Sequence, residues 1–222
     1  MKLSLQSRPV PDRGPPAVSP HALALAGVDL VPAAAPVVRV EEAREVAVVL
    51  SRSRDPEREV YLSRCREDGV PVVVRPSGGG AVVLGPGVVA ASLVAPADPR
   101  VRFPEPYFRR YCGVVAEALA LCGVAALAIR GISDLALGDR KVAGSSLRLW
   151  QGWVLFQVSV LVDVDVSLIE RYLRPPSREP AYRHGRPHRD FVVTLRDAGF
   201  PVTCAHVVGA LREGLAAETQ KA

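Results

Sequence analysis

Arg75-Pro76-Ser77-Gly78-Gly79-Gly80-Ala81-Val82 closes an apolar run, Val70 to Val74, and opens another that continues to Leu84. Three adjacent glycines between two β-type runs give the backbone conformations closed to other residues and let it approach a ligand without side-chain interference. Such a loop can aim its N–H groups at an anion. Pro76 restricts Arg75 to an extended backbone, which sets Arg75 at the lip of the turn, where a five-donor guanidinium suits a phosphate or carboxylate. A glycine-rich hairpin turn with a solvated arginine has the same local composition. The stretch matches neither the GxxxxGK[ST] phosphate loop nor the GxGxxG dinucleotide fingerprint.

Outward from this loop the pattern is mixed. Val37 to Val40 and Val46 to Leu50 read as strands, and Asp55-Pro56-Glu57 caps a helix running to about Glu67, ended by Gly69. Strands flank the glycine loop at Val70 to Val74, Ala81 to Leu84 and Val88 to Val94, the last two joined by Gly85-Pro86-Gly87. Phe103 to Cys122 reads as a long amphipathic helix and Ala125 to Ile129 as a strand. Arg140 to Trp150 and Gly152 to Asp165 form a hairpin turning near Gln151-Gly152. Helices follow at Leu168 to Leu173, His188 to Ala198 and Cys204 to Ala217. This order implies an α+β domain with a largely antiparallel sheet and helices outside it.

Composition narrows the class. The chain has 222 residues, 49% of them hydrophobic, enough for one well-buried core. Residues 1–20 are proline-rich without apolar period and read as a flexible leader, leaving 21–222 as a single domain without a large C-terminal accessory domain. The net charge of +5 comes from scattered arginines without an aromatic-interleaved basic cluster, so a nucleic-acid partner is not expected and an acidic protein partner is compatible. Cys65, Cys112, Cys122 and Cys204 form no CxxC pair and have no histidine at metal-ligand spacing, which points to free thiols in a reducing cytoplasm. Ala22 to Val38 is interrupted by Asp29, Pro32 and Pro36, so neither secretion nor a membrane span is expected.

Four stretches together carry a resemblance. Val74-Arg75-Pro76-Ser77-Gly78-Gly79-Gly80-Ala81-Val82 is similar to RRxSGGGAV, with only the first arginine missing. Ser133-Asp134 with Lys141-Val142-Ala143-Gly144 is similar to NDxxxxxxKxxG, its spacing kept. Phe156-Gln157-Val158-Ser159 falls where HHGT is expected, so that motif is lost. Pro180-Ala181-Tyr182-Arg183-His184-Gly185-Arg186-Pro187-His188-Arg189-Asp190-Phe191 matches PxYRxxRxHxxF. From about Val37 to Leu195 the chain resembles the lipoate protein ligase A branch of the biotin/lipoate protein ligase superfamily.

The resemblance implies a class II aminoacyl-tRNA synthetase/biotin ligase-like fold and an ATP-dependent ligase. Lipoate or octanoate would be activated to an acyl-adenylate and passed to a lysine of a lipoyl domain, on a 2-oxoacid dehydrogenase E2 or a glycine cleavage H protein. Lys141 is the implied catalytic cation, since charge builds on the α-phosphate and a fixed cation in a water-poor site stabilises it. Arg75, Ser77, Gly78, Gly79, Gly80, Ala81, Asp134, Val142 and Gly144 are the implied substrate- and nucleotide-binding residues, with Asp134 as the implied Mg2+ ligand. Trp150 and Trp153 are expected to cover the sheet. His184 and His188 have no serine or cysteine partner nearby in sequence, while Tyr182, Arg183 and Arg186 are placed to pin their loop over the site. Two alternatives stay open: an octanoyl transferase of the same fold, using a cysteine nucleophile, and a non-catalytic paralogue that binds a lipoyl domain or adenylate. A separate accessory subunit is a further implied partner.

Overall fold

The computed structural model describes residues 36–220; the expected leader and the stretch His21 to Val31 lie outside them. Among the described residues there are nine strands, eight of them expected; the additional one is the four-residue strand Asp134–Leu137. Strands β1 (Val37–Glu42), β5 (Val88–Pro96), β6 (Leu127–Arg130), β7 (Asp134–Leu137), β8 (Arg140–Trp150) and β9 (Trp153–Leu161) build one antiparallel sheet in the order β1-β5-β9-β8-β7-β6. A second sheet, β3-β2-β4, is formed by β2 (Ala47–Ser51), β3 (Val72–Arg75) and β4 (Val82–Leu84), with β2 and β3 parallel.

The large sheet buries both faces. Alternate residues Val89, Ala91, Leu93 and Ala95 of β5 meet two long helices, α3 (Pro104–Leu121) and α6 (Cys204–Thr219). Full burial of an aliphatic or aromatic side chain such as Leu93 or Phe156 contributes about 1.5–3 kcal/mol. The two helices pack closely at Gly214, where an added Cβ would lie 3.3 Å from Val114 Cγ1. On the opposite face, Val88, Ala90 and Leu161 meet the small sheet, together with the short helices α2 (Leu62–Glu67) and α4 (Ser167–Tyr172). The cavity described below opens on this second face.

The β8–β9 hairpin turns on two residues, Gln151 (φ 45) and Gly152 (φ 79). Two consecutive positive φ values match the twist of the flanking strands. Trp150 and Trp153 sit directly across this turn and cover Val94 and Leu155, as expected.

Two expected helices are shorter than their sequence pattern. The first breaks between α1 (Pro56–Glu59) and α2, because Val60 pairs with Leu173 and Tyr61 N–H donates to Tyr172 O at 2.8 Å. The helix begun at His188 ends at Phe191 (α5, His188–Phe191). There the backbone extends, Val192 bridges to Lys141, and Val193 N–H donates to Lys141 O at 2.9 Å. In both places tertiary pairing overrides helix propensity.

Candidate functional site

A cavity of about 560 Å³ lies between the glycine loop of the small sheet and the β7–β8 hairpin of the large one. Its inner walls are apolar, from Val49, Val83, Leu84, Leu161, Ile169 and Phe191. Gly79 to Ala81 line it on one side and Ser133, Asp134 and Lys141 on the other, and Arg54, Glu59, Arg174, Glu179, Arg183 and His188 also line it. Volume and lining suit a small molecule with an apolar body and a polar head.

The lysine side is built by a β-bulge. In a regular strand residues three apart face opposite sides, so Lys141 and Gly144 would diverge. The β7–β8 register slips instead: Gly144 faces Asp134 and Ala143 faces Leu135, but Lys141 faces Ala136, which leaves Val142 as the extra residue. Asp134, Ala136 and Lys141 therefore share the cavity face. Lys141 folds back so that Nζ lies 2.7 Å from Asp134 Oδ1. Gly144 makes room for it, since a Cβ there would meet Nζ at 2.6 Å. Tyr182 Oη donates to the other carboxylate oxygen, Asp134 Oδ2, at 2.9 Å. The lysine side chain keeps a quarter of its surface exposed. A pair this open contributes at most about 1 kcal/mol to stability; what it fixes is the position of the ammonium.

The loop side is built by Arg75. It is not at the lip of the turn but buried, at 5% exposure, and four hydrogen bonds hold its guanidinium in the small sheet. Nη2 donates to Gly78 O and Gly80 O, both at 2.7 Å, Nη1 to Val49 O at 3.2 Å, and Nε to Ser77 Oγ at 3.1 Å. Burial pulls its pKa down to about 10, which leaves it charged at neutral pH. Clamping a ligand at the rim is thus corrected to drawing the loop carbonyls inward. Because each peptide is planar and trans, the next amides, of Gly79 and Ala81, turn the other way. Neither donates to a protein acceptor among the described residues. Gly79, at φ 98, is in a conformation that only glycine adopts readily.

Ser77 and Gly78 sit behind this surface rather than on it. Ser77 Oγ donates to Gln157 Oε1 at 2.5 Å and lies 2.9 Å from Ser146 Oγ, while Gln157 Nε2 donates to Ser92 Oγ at 3.3 Å. Gln157, at the place of the missing histidine motif, thereby ties the loop to β9. Val142 is fully buried among the helix-side core residues, so its side chain is a core contact and not a nucleotide contact.

Sequence reasoning missed Arg54. Its Nε donates to Gly79 O at 3.2 Å and its Nη1 to Ser177 Oγ at 3.1 Å, next to the buried carboxylate of Glu59. Ser177 also bonds Glu59, so the segment after α4 is held against the glycine loop. No local signal marks Arg54, because its partners are 25 and 123 residues away.

Cys112, nearest the site, is buried in the helix-side core with Sγ 3.3 Å from Ser145 Oγ, and burial raises its pKa. None of the four cysteines lines the cavity and none is paired. Among the described residues no helix is long and apolar enough to cross a membrane. Nor is there any group of three or more His, Cys, Asp or Glu side chains set to hold a metal. Asp134, which lines the cavity together with the carboxylates of Glu59 and Glu179, is a donor that fits Mg2+ when a nucleotide's phosphates supply further oxygens.

Residues 27–216 match the model of the lipoyl protein ligase A/B catalytic domain. This chain belongs to that family. Among curated relatives, an octanoyl-[GcvH]:protein N-octanoyltransferase of Kyrpidia tusciae is 40% identical over 116 residues. That alignment takes in 49% of this chain and 37% of the relative, so the chain spans well under half of the relative's length. The family fold extends to solved structures. One is a bi-partite lipoate protein ligase from Thermoplasma acidophilum (TM-score 0.74, 22% identity, 90% of this chain and 78% of that one). A second is a lipoate-protein ligase A bound with ATP (TM-score 0.72, 22% identity, 90% and 80%). The expected mixed α+β domain, a largely antiparallel sheet with helices outside it, is the one observed, and it is shared with solved lipoate protein ligases.

Proposed function

We propose that this protein is a lipoate or octanoate protein ligase. It activates the acid with ATP to an acyl-adenylate and transfers the acyl group to a lysine of a lipoyl-domain protein. The observation that carries this reading is the arrangement of two anion-attracting elements on one cavity: the Lys141 ammonium on one wall and the undonated amides of Gly79 and Ala81 on the other.

The apolar interior takes the acyl chain, and the carboxylate lies at the polar end. As it attacks the α-phosphate, negative charge grows on the phosphate oxygens. A preorganised cation and two amides stabilise that charge without reorganising at the moment of reaction. Asp134 keeps the ammonium in place and Tyr182 keeps Asp134 in place. Asp134 would hold Mg2+ arriving with the nucleotide, and the ion would supply further neutralisation of phosphate charge. After activation the same cation holds the mixed anhydride until the acceptor amine arrives. The one domain described carries these parts, and a separate subunit is a candidate to complete activation. Unpaired thiols favour a reducing, cytoplasmic setting.

A second reading, acyl transfer from a carrier thioester, draws on the transferase relative only in that the relative's name gives an octanoylated protein, GcvH, as donor in place of the free acid. A covalent version needs a nucleophilic cysteine at the acyl carbonyl, and the position of all four cysteines outside the cavity lining counts against it.

One experiment separates these readings: incubate the chain with Mg2+ and either octanoate plus ATP or octanoyl-carrier thioester, with an apo lipoyl domain, and weigh the products. Acyl-adenylate and modified domain from the acid and ATP support the ligase. Modification from the thioester alone overturns it in favour of the transferase, and tight adenylate binding without modification favours a non-catalytic role.

A further inference from the structure

Pro180, Ala181, Arg183, His188 and Phe191 of the PxYRxxRxHxxF segment line the cavity, and the fixed residues of the segment can be taken one by one. Tyr182 holds Asp134, and Phe191 is buried in the small-sheet core. Arg183 donates to Arg186 O at 2.8 Å and lies 3.5 Å from Glu179. Arg186 bonds Asp139 Oδ2 at 2.8 Å and Asp139 O at 2.9 Å, which fastens the segment to the β7–β8 turn. Pro180 packs beside Gly131. His188 alone is left: among the described residues its ring makes no hydrogen bond and no ion pair.

The position of that ring is informative. A second cavity of about 330 Å³ adjoins the first, and Leu173, Pro176, Glu179, Arg183 and His188 line both. Its remaining walls include Tyr61, Pro175 and Pro187, which are apolar, and the carboxylate of Glu170. With apolar sides, two carboxylates, the guanidiniums of Arg183 and Arg186, and the His188 ring in the wall shared with the first cavity, this space suits a four-carbon aliphatic stem bearing an uncharged amine.

We propose that the second cavity admits the acceptor's lysine side chain, and that His188, in the shared wall, accepts the proton its nitrogen must lose. This rests on the ligase reading. An ammonium sheds two protons on becoming an amide. The first leaves to solvent as the stem enters, aided by the Arg183 cation nearby, which disfavours a charged amine. The nitrogen lone pair then bonds to the acyl carbonyl carbon. The carbon–oxygen bond to the phosphate breaks, AMP departs with that electron pair, and the second proton passes to the His188 ring and on to water. Burial first, and Arg183 second, keep the ring neutral at neutral pH but also lower its proton affinity, so it takes the proton only after the bond to carbon has made the nitrogen's N–H acidic.

The test separates the two half-reactions in the full chain. Adenylate formation is followed with octanoate, ATP and Mg2+; transfer is followed with supplied octanoyl-adenylate and an apo lipoyl domain. His188→Gln is expected to leave adenylate formation within about twofold and to slow transfer about a hundredfold or more, the range of a lost general base. In His188→Gly, added imidazole is expected to restore part of the transfer rate and none of the adenylate rate. Pro175→Trp, which fills the second cavity alone, is expected to raise the KM for the lipoyl domain. Loss of both half-reactions together, or transfer at the wild-type rate in His188→Gln, overturns the proposal. A wild-type chain that transfers from supplied adenylate but makes none from ATP assigns activation to a separate subunit and leaves the His188 comparison standing; one that transfers from neither overturns both the ligase reading and the role of His188.

Discussion

The two sides of the cavity use glycine for opposite ends. In the Gly78–Gly80 loop glycine frees the main chain: Arg75 pulls the carbonyls inward, Gly79 takes a φ of 98°, and the backbone itself becomes the binding surface. In Lys141-Val142-Ala143-Gly144 the main chain is an ordinary bulged strand, and glycine vacates space for a neighbour's side chain. One side presents amides backed by a buried charge, the other an accessible charge backed by a carboxylate. A change on the loop side should therefore be felt in stability, and one on the lysine side in catalysis.

Lys141→Ala should give the largest effect. Removing one preorganised charge from a developing oxyanion typically lowers the rate by about 10²–10³, so adenylate formation should fall at least that far with the melting temperature nearly unchanged. Wild-type turnover in this variant would break the comparison on its catalytic side.

Arg75→Met tests the other side. It leaves the carbonyls of Val49, Gly78 and Gly80 without their donor in a buried setting, which should destabilise the fold by about 3 kcal/mol in urea titrations. Arg75→Lys should recover little, because an ammonium cannot span four acceptors in one plane. Wild-type stability in Arg75→Met would mean that the loop holds its own shape.

Gly144→Ala sharpens the contrast. The new methyl meets only the far end of a flexible side chain, so melting should barely move, while the displaced ammonium should lower adenylate formation about tenfold to a hundredfold. A drop in stability without a drop in rate would assign Gly144 to the fold.

The smallest effect concerns pH. The His188 ring, with an ordinary pKa of 6.5, is held at about 4 by burial and Arg183. Above 6.5 both folded and unfolded chains carry it neutral. As pH falls from 6.5 towards 4 the unfolded chain takes up a proton that the folded one refuses, and stability declines across that window. His188→Gln should flatten this part of the stability curve; an unchanged slope would place the ring in water.

The comparison also explains what the sequence made legible. The family resemblance, through the kept spacing of NDxxxxxxKxxG, brought Asp134, Lys141 and Gly144 together, and all three lie on one short hairpin. Arg75 was misassigned because its destination depends on Val49 O, which belongs to a strand 26 residues earlier. The bulge that turns Lys141 toward the cavity leaves no mark in composition, and β7, four residues long, was too short to stand out as a strand. The role of Gln157 rests on Ser77, 80 residues away. The hairpin at Gln151-Gly152 and both long helices were readable because their signals are local.

The sheet order also bears on how the chain is made. β5 pairs with β1, already synthesised, along one edge, and with β9 along the other. All but the last of its nine residues are buried in the finished fold. During translation its second edge waits for β9, which leaves the ribosome roughly sixty residues later, a delay of roughly three to twelve seconds at ordinary elongation rates. Throughout that interval an apolar strand with an open hydrogen-bonding edge is the part of the nascent chain most prone to pair with another molecule, so the yield of soluble protein should respond to elongation speed over β6 to β8 and to chaperone supply more than to the stability of the completed domain.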